Sequence, residues 1–156
     1  ALHLQANQKH IDIQVGPYPP NLPLLEADQA LLQQAVHNLM ENAVKYTRSE
    51  GSVSVQVQAR QDRLVIEIRD TGIGISPMDQ PHLFEKLYRG AQQGSKDQRG
   101  TGMGLAIVKS IAERHNGQVW VDSQLGKGSA FYLALPLRQP GRPGAAKGPA
   151  TSTSQA

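Results

Sequence analysis

The stretch HNLMENAVKYT, residues 37–47, sits inside a helical pattern yet carries two asparagines four residues apart. Asparagine is a mediocre helix former, because its short amide competes with the backbone for hydrogen bonds. At about 100° per residue, Leu31, Leu32, Ala35, Val36, Leu39, Met40, Ala43 and Val44 form one broad apolar stripe. Asn38, Asn42 and Lys45 fall within about 60° of one another at one border of it. The margin of a packed helix is where a cleft can open. Neutral amide oxygens there suit a hard divalent cation when phosphates bring the negative charge, and a lysine suits the phosphates. The same placement also describes two polar residues that merely border a core.

Working outward, HIDIQV (10–15) alternates like a half-buried strand, and the proline-rich GPYPPNLP after it reads as a loop. Asp28 is a fitting N-cap for the helix that runs to about Thr47. SVSVQVQAR (52–60) and RLVIEIRD (63–70) read as a hairpin turning at Gln61–Asp62. Ser76, Pro77 and Asp79 start a helical turn that Pro81 interrupts, which predicts two short turns. Residues 90–100 are polar and glycine-punctuated, as in a mobile loop. A second helix spans about Gly102 to His115, burying Leu105, Val108, Ile111 and Ala112 and stopping at Asn116–Gly117. His115 in its last turn favours the helix dipole. QVWVDS (118–123) and SAFYLALPL (129–137) complete the elements. The order predicts an α+β fold, a two-layer sandwich of a mixed, mostly antiparallel sheet with helices on one face.

Composition narrows the function classes. The chain has 156 residues, 38% of them hydrophobic, and no cysteine, which excludes disulfides and thiolate chemistry. Of its 16 basic residues, Arg138, Arg142 and Lys147 lie in a tail without acids, leaving 13 against 13 in the remainder. The basic balance is thus a property of residues 138–156, whose Pro, Gly, Ala, Ser and Thr content predicts disorder. Three scattered charges make a poor polyanion binder, so no nucleic-acid partner is expected. No apolar run is long enough to span a bilayer, and a cytoplasmic domain without direct membrane contact is the expectation.

Three further stretches bear on the asparagines. In RLVIEIRDTGIGIS, Leu64, Ile66, Ile68 and Asp70 share parity, so Asp70 follows the inward apolar row. A carboxylate there is costly unless donors meet it, and an exocyclic base amine is one such donor. Gly72 and Gly74 would let a flat ligand press on the backbone, although Asp-x-Gly also recurs in plain turns. In RGTGMGLAIVKS, Gly100, Gly102 and Gly104 precede a helix whose N-terminus could cradle phosphate, or serve as a hinge. Arg89, at the root of the polar loop, could reach a terminal phosphate, or be an ordinary surface arginine. The P-loop and dinucleotide-binding glycine spacings are absent.

Taken in order, HNLMENAVKYT, DTGIG, LFEKLYRG and GTGMGL resemble the N, first glycine, F and second glycine boxes of the ATP-binding (Bergerat-fold, GHKL) catalytic domain of sensor histidine kinases. The resemblance covers about residues 8–137, with residues 1–9 left as the remnant of a linker from a dimerisation domain. Met103 and Leu87 stand where Leu and Phe are usual. It implies Asn42 as principal Mg²⁺ ligand helped by Asn38, Lys45 on phosphate, Tyr46 against adenine and Asp70 on the adenine amine. It implies further nucleotide contacts from Gly72, Gly74, Ile75, Gly100, Thr101, Gly102, Met103, Gly104 and Leu105, with Asn38, Lys45 and Arg89 at the transferring phosphate. The implied cofactors are ATP and Mg²⁺.

Hydrolytic members of the wider superfamily place a water-activating glutamate four residues before the metal asparagine, where this chain has Asn38. Glu41, about 100° around the helix from Asn42, should point elsewhere. None of the five histidines lies in a phosphoacceptor setting. The implied partners are therefore a dimerisation domain bearing that histidine and a response regulator, with the isolated domain monomeric. A nucleotide-binding regulatory module and an anti-sigma serine kinase of the same fold remain as alternatives.

Overall fold

The computed structural model describes residues 2–86 and 103–139. Its elements are α1 (Leu2–Lys9), β1 (Asp12–Val15), α2 (Gln29–Tyr46), β2 (Ser52–Arg60), β3 (Arg63–Asp70), a 3₁₀ turn (Gln80–His82), α3 (Gly104–Arg114), β4 (Gln118–Gln124) and β5 (Gly128–Pro136). One five-stranded sheet runs in the order β1-β2-β3-β5-β4. All pairings are antiparallel except β1 with β2, which is parallel.

The strands keep the expected parity. Val53 and Val55 of β2, Ile66 and Ile68 of β3, and Phe131, Leu133 and Leu135 of β5 bury their side chains. They join Leu39, Ala43 and Val44 of α2 and Val108 and Ile111 of α3 in one core. The opposite face of the sheet carries Trp120 stacked on Tyr132, ring centroids 5.2 Å apart. Burying a large aliphatic side chain contributes about 1.5–3 kcal/mol, so truncating Leu39 or Ile68 would strike the fold directly.

The helix ends follow from local chemistry. Asp28 accepts from Leu31 N with Oδ1 at 3.1 Å, the expected N-cap of α2. Ser76 Oγ and Asp79 Oδ2 are 3.0 Å apart and Asp79 N donates back to Ser76 Oγ, closing the first of the two short turns. The second helix begins at Gly104, two residues later than expected.

Within residues 1–9, expected as the remnant of a linker, Leu2–Lys9 form a helix that buries Ala6 against the rest of the domain. The packed part ends two residues beyond the expected boundary, because Gln139 is buried and donates from N to Glu26 Oε1 at 2.7 Å and from Nε2 to His115 O at 2.9 Å. The rest of the expected tail lies outside the described residues.

His115 also differs from the dipole reading. It is buried, with Nδ1 2.8 Å from Ile111 O and Nε2 3.0 Å from Asp28 N. A carbonyl only accepts and a backbone N–H only donates, so the ring carries its single proton on Nδ1 and is neutral. It joins the end of α3 to the start of α2. Among the described residues no helix is long and apolar enough to cross a membrane.

Candidate functional site

Helices α2 and α3 lie side by side, and Asn38 Nδ2 reaches Gly104 O at 3.4 Å, a long contact between them. Below this point, between the helices and the sheet, lies a small cavity that opens to solvent. Asn42 and Tyr46 of α2 line it, with Asp70 at the end of β3, Ile73, Gly74 and Ile75 after it, and Leu105 of α3. Ser129 and Phe131 of β5 close the sheet side.

Asn42 is half-buried at the cavity and has no hydrogen-bond partner among the described residues, so its amide is available to a ligand there. Lys45 Nζ stands 5.2 Å from the centre of the Tyr46 ring, which places the cation beside the cavity wall.

Asp70 is 5% exposed. Desolvation pushes its carboxyl above the ordinary carboxylate range, while backbone N–H groups of Gly72 and Ser129 act more weakly in the other direction. The Gly72 bond is 2.8 Å to Oδ1. Its buried carboxylate is thus incompletely compensated by the protein, and an added donor would stabilise it.

Gly72 and Gly74 sit where the backbone approaches itself closely. A side chain on Gly72 would run into Tyr46 O, and one on Gly74, whose φ is +73°, into Gln124 O. Both residues let the chain pass close to its own backbone. Only Gly74 of the two also borders the cavity. Ile75 is buried in the cavity wall. Met103, at the N-cap of α3, has no side-chain cap bond, and a Cβ on Gly104 would meet nothing within 4 Å. Arg89, Gly100, Thr101, Gly102 and the loop 90–100 lie outside the described residues.

Glu41 points away from the cavity, paired with His37 Nδ1 at 3.5 Å on the exposed side of α2. Ser129, Phe131 and Ile73 were missed by sequence reasoning. Ser129 carried a usable signal: it is the polar member of the inward row Phe131, Leu133, Leu135, just as Asp70 is on β3. Among the described residues no cluster of three or more histidines and carboxylates could hold a metal. A cation here would depend on the neutral oxygens of Asn42 and Asn38 together with phosphate, a donor set that suits hard Mg²⁺.

The fold is that of a known family. Residues 27–139 match the family described as histidine kinase-, DNA gyrase B-, and HSP90-like ATPase, and the chain belongs to it. It is 44% identical over 118 residues to the sensor-like histidine kinase SenX3 of Mycobacterium tuberculosis (strain ATCC 25618 / H37Rv), covering 76% of this chain and 28% of that protein. It is 41% identical over 110 residues to the sensor histidine kinase RppB of Synechocystis sp. (strain ATCC 27184 / PCC 6803 / Kazusa), covering 70% and 24%. The chain thus spans about a quarter of the length of these relatives. Among solved structures, full-length ShkA in complex with AMPPNP superposes with a TM-score of 0.75 at 31% identity, over 91% of this chain and 29% of ShkA.

Proposed function

We propose that this domain binds Mg·ATP and donates the γ-phosphoryl group to a histidine on a dimerisation domain, as the catalytic part of a sensor histidine kinase whose phosphate passes on to a response regulator. The observation that carries the reading is the meeting, in one cavity, of an Asn42 amide that has no partner among the described residues with a buried Asp70 carboxylate of raised pKa. Asp70 is suited to accept from the adenine amine, a bond that would compensate its desolvation. Tyr46, Ile75 and Leu105 offer apolar surface to the base. Asn42 and Asn38 would hold the Mg²⁺, which neutralises phosphate charge when bound. Lys45 adds a cation, and the first turn of α3 would offer backbone N–H groups to phosphate. Arg89 and the segment Gly100–Gly102 are proposed to complete the phosphate side.

Transfer rather than hydrolysis is supported by Asn38, which cannot accept a proton at neutral pH, and by Glu41 on the outer face. The complex of ShkA with AMPPNP, an ATP-like ligand on a related fold, supports the choice of nucleotide.

Calorimetric titration of ATP with and without Mg²⁺, on wild type and Asn42→Ala, tests the binding half. Wild type should bind with a Mg²⁺-dependent gain that the variant loses. Labelled ATP supplied with a dimerisation segment in trans tests the transfer half. Phosphohistidine on the segment is the expected outcome; binding without label would leave a passive nucleotide module.

A further inference from the structure

The C-terminal end of α2 is closed by a residue far from it in sequence. An α-helix leaves its last four carbonyls without intrahelical donors. Here Ala43 O accepts from Thr47 Oγ1 at 2.6 Å, and Tyr46 O accepts from Ile73 N at 3.2 Å. The other two belong to Lys9 of α1. Its Nζ donates to Val44 O at 3.0 Å and Lys45 O at 2.8 Å, and it adds Thr47 O at 3.0 Å. Three ammonium protons thus meet three carbonyls at the negative end of the helix dipole.

Helix α1 is fixed so that the lysine can reach. Ala6 packs in the core, Ile11 N donates to Ala6 O, and Glu50 N donates to Lys9 O at 2.8 Å. Burial lowers the Lys9 pKa, so the ammonium has given up water for these carbonyls.

The carbonyls that Lys9 holds flank the one on which the opposite cavity wall rests. Tyr46 O receives Ile73 N and lies where a Gly72 side chain would be, so the Asp70–Gly74 segment is seated on the last turn of α2. That turn also presents Asn42, Lys45 and Tyr46. Movement of the turn shifts both walls together.

We infer that Lys9 is a positioning residue for nucleotide binding, and that α1 is an arm whose seating sets the affinity of the site. The inference rests on the nucleotide reading above. Withdrawal of α1 would uncover three carbonyls and loosen the turn that carries the site. Reciprocally, a bound nucleotide would tighten α1, because coupling between two sites acts equally in both directions.

The test compares wild type, Lys9→Met and Lys9→Arg, each titrated with Mg·ATP well below its melting temperature. Amide hydrogen exchange over α1 and the last turn of α2 is followed with and without nucleotide. Loss of the charged cap in Lys9→Met should weaken binding about tenfold, with Lys9→Arg closer to wild type. Nucleotide should slow exchange in α1 of wild type and leave α1 of Lys9→Met unchanged. If Lys9→Met melts earlier yet binds as wild type, with no nucleotide effect on α1 exchange in any protein, Lys9 is only a structural cap and the inference is overturned. If Lys9→Met does not fold, α1 protection in wild type and Lys9→Arg supports it, and its absence overturns it. Wild type that binds no nucleotide overturns the functional reading and this inference together, whereas an unaffected variant beside a binding wild type overturns this inference alone.

Discussion

The two ends of α2 are built on opposite plans. At the N-terminal end, Asp28 caps Leu31 N while its own N–H meets His115, and the imidazole in turn is held by Ile111 O. Polar groups there are paired with one another. At the C-terminal end the backbone is equally well paired, through Lys9, Thr47 and Ile73, while Asn42 lacks a partner among the described residues and Asp70, though it accepts from Gly72 N, has its carboxyl pushed upward by burial. One end contributes stability. The other keeps a rigid frame around unfinished chemistry, which is how a site can be ready for a ligand without being soft.

The sharpest way to break this contrast is His115→Ala. It removes the partner of Asp28 N–H and the second donor to Ile111 O, which keeps the backbone N–H of residue 115, and it empties a buried site, at about 1–3 kcal/mol for a hydrogen-bonding group left unpaired. The midpoint of urea unfolding should fall accordingly, while nucleotide affinity of the folded protein stays as in wild type. A variant that binds nucleotide poorly while fully folded would show that the two ends are not separable.

Asp70→Asn attacks the other end. Loss of a charge-assisted hydrogen bond should weaken nucleotide binding by about 1.5–3 kcal/mol, or roughly ten- to a hundredfold. Its stability signature has a definite sign. A carboxyl whose folded pKa is raised supports the fold fully below its unfolded pKa, and that contribution is lost as pH rises through the folded value. Thermal melts without nucleotide should therefore show any advantage of wild type over Asp70→Asn greatest in acid and shrinking toward neutrality. An advantage that grows with pH would contradict the desolvation account.

The smallest effect belongs to Asp28→Ala, which deletes the cap oxygen but leaves the backbone N–H on His115. About 1 kcal/mol of stability should be lost, readable in the same urea titration. A loss as large as that of His115→Ala would mean that the cap, not the imidazole, holds this end together.

Much of this was legible in the sequence because it is periodic. The α2 stripe, the hairpin at Gln61–Asp62 and the inward parity of Asp70 each follow from residue spacing. What spacing cannot reveal is the identity of a neighbour. β1 reads as a strand, but nothing in HIDIQV says that it lies parallel to β2. Gly72 announces a close approach, but spacing does not say that Tyr46 O is one of the groups approaching. Helix α1 was missed for a related reason: most of its residues are polar, and its seating depends on Ala6 and on a lysine bonded to carbonyls more than 30 residues away. His115 was assigned a charge effect because its partner, Asp28 N, belongs to another helix. The side chains Asn42, Tyr46, Ile75 and Leu105, expected at the nucleotide, do border one cavity with Asp70.

The sheet order has a consequence for how this chain tolerates change. β2–β3 and β4–β5 are hairpins of near neighbours, but the centre of the sheet joins β3 to β5 over eight rungs, from Arg63↔Pro136 to Asp70↔Ser129. Everything between Asp70 and Gln118, including α3 and the cavity's upper rim, is one long excursion whose ends are brought back by that seam and by β4 beside it. Closing a flexible loop becomes only about 0.6 kcal/mol more costly with each doubling of its length. Insertions at exposed positions of the excursion, away from the buried Ile75, Leu83, Val108 and Ile111, therefore cost little while the seam stays in register. The penalty is kinetic: the central pairing joins distant parts of the chain and must wait for both hairpins, so its formation is the expected slow step of folding.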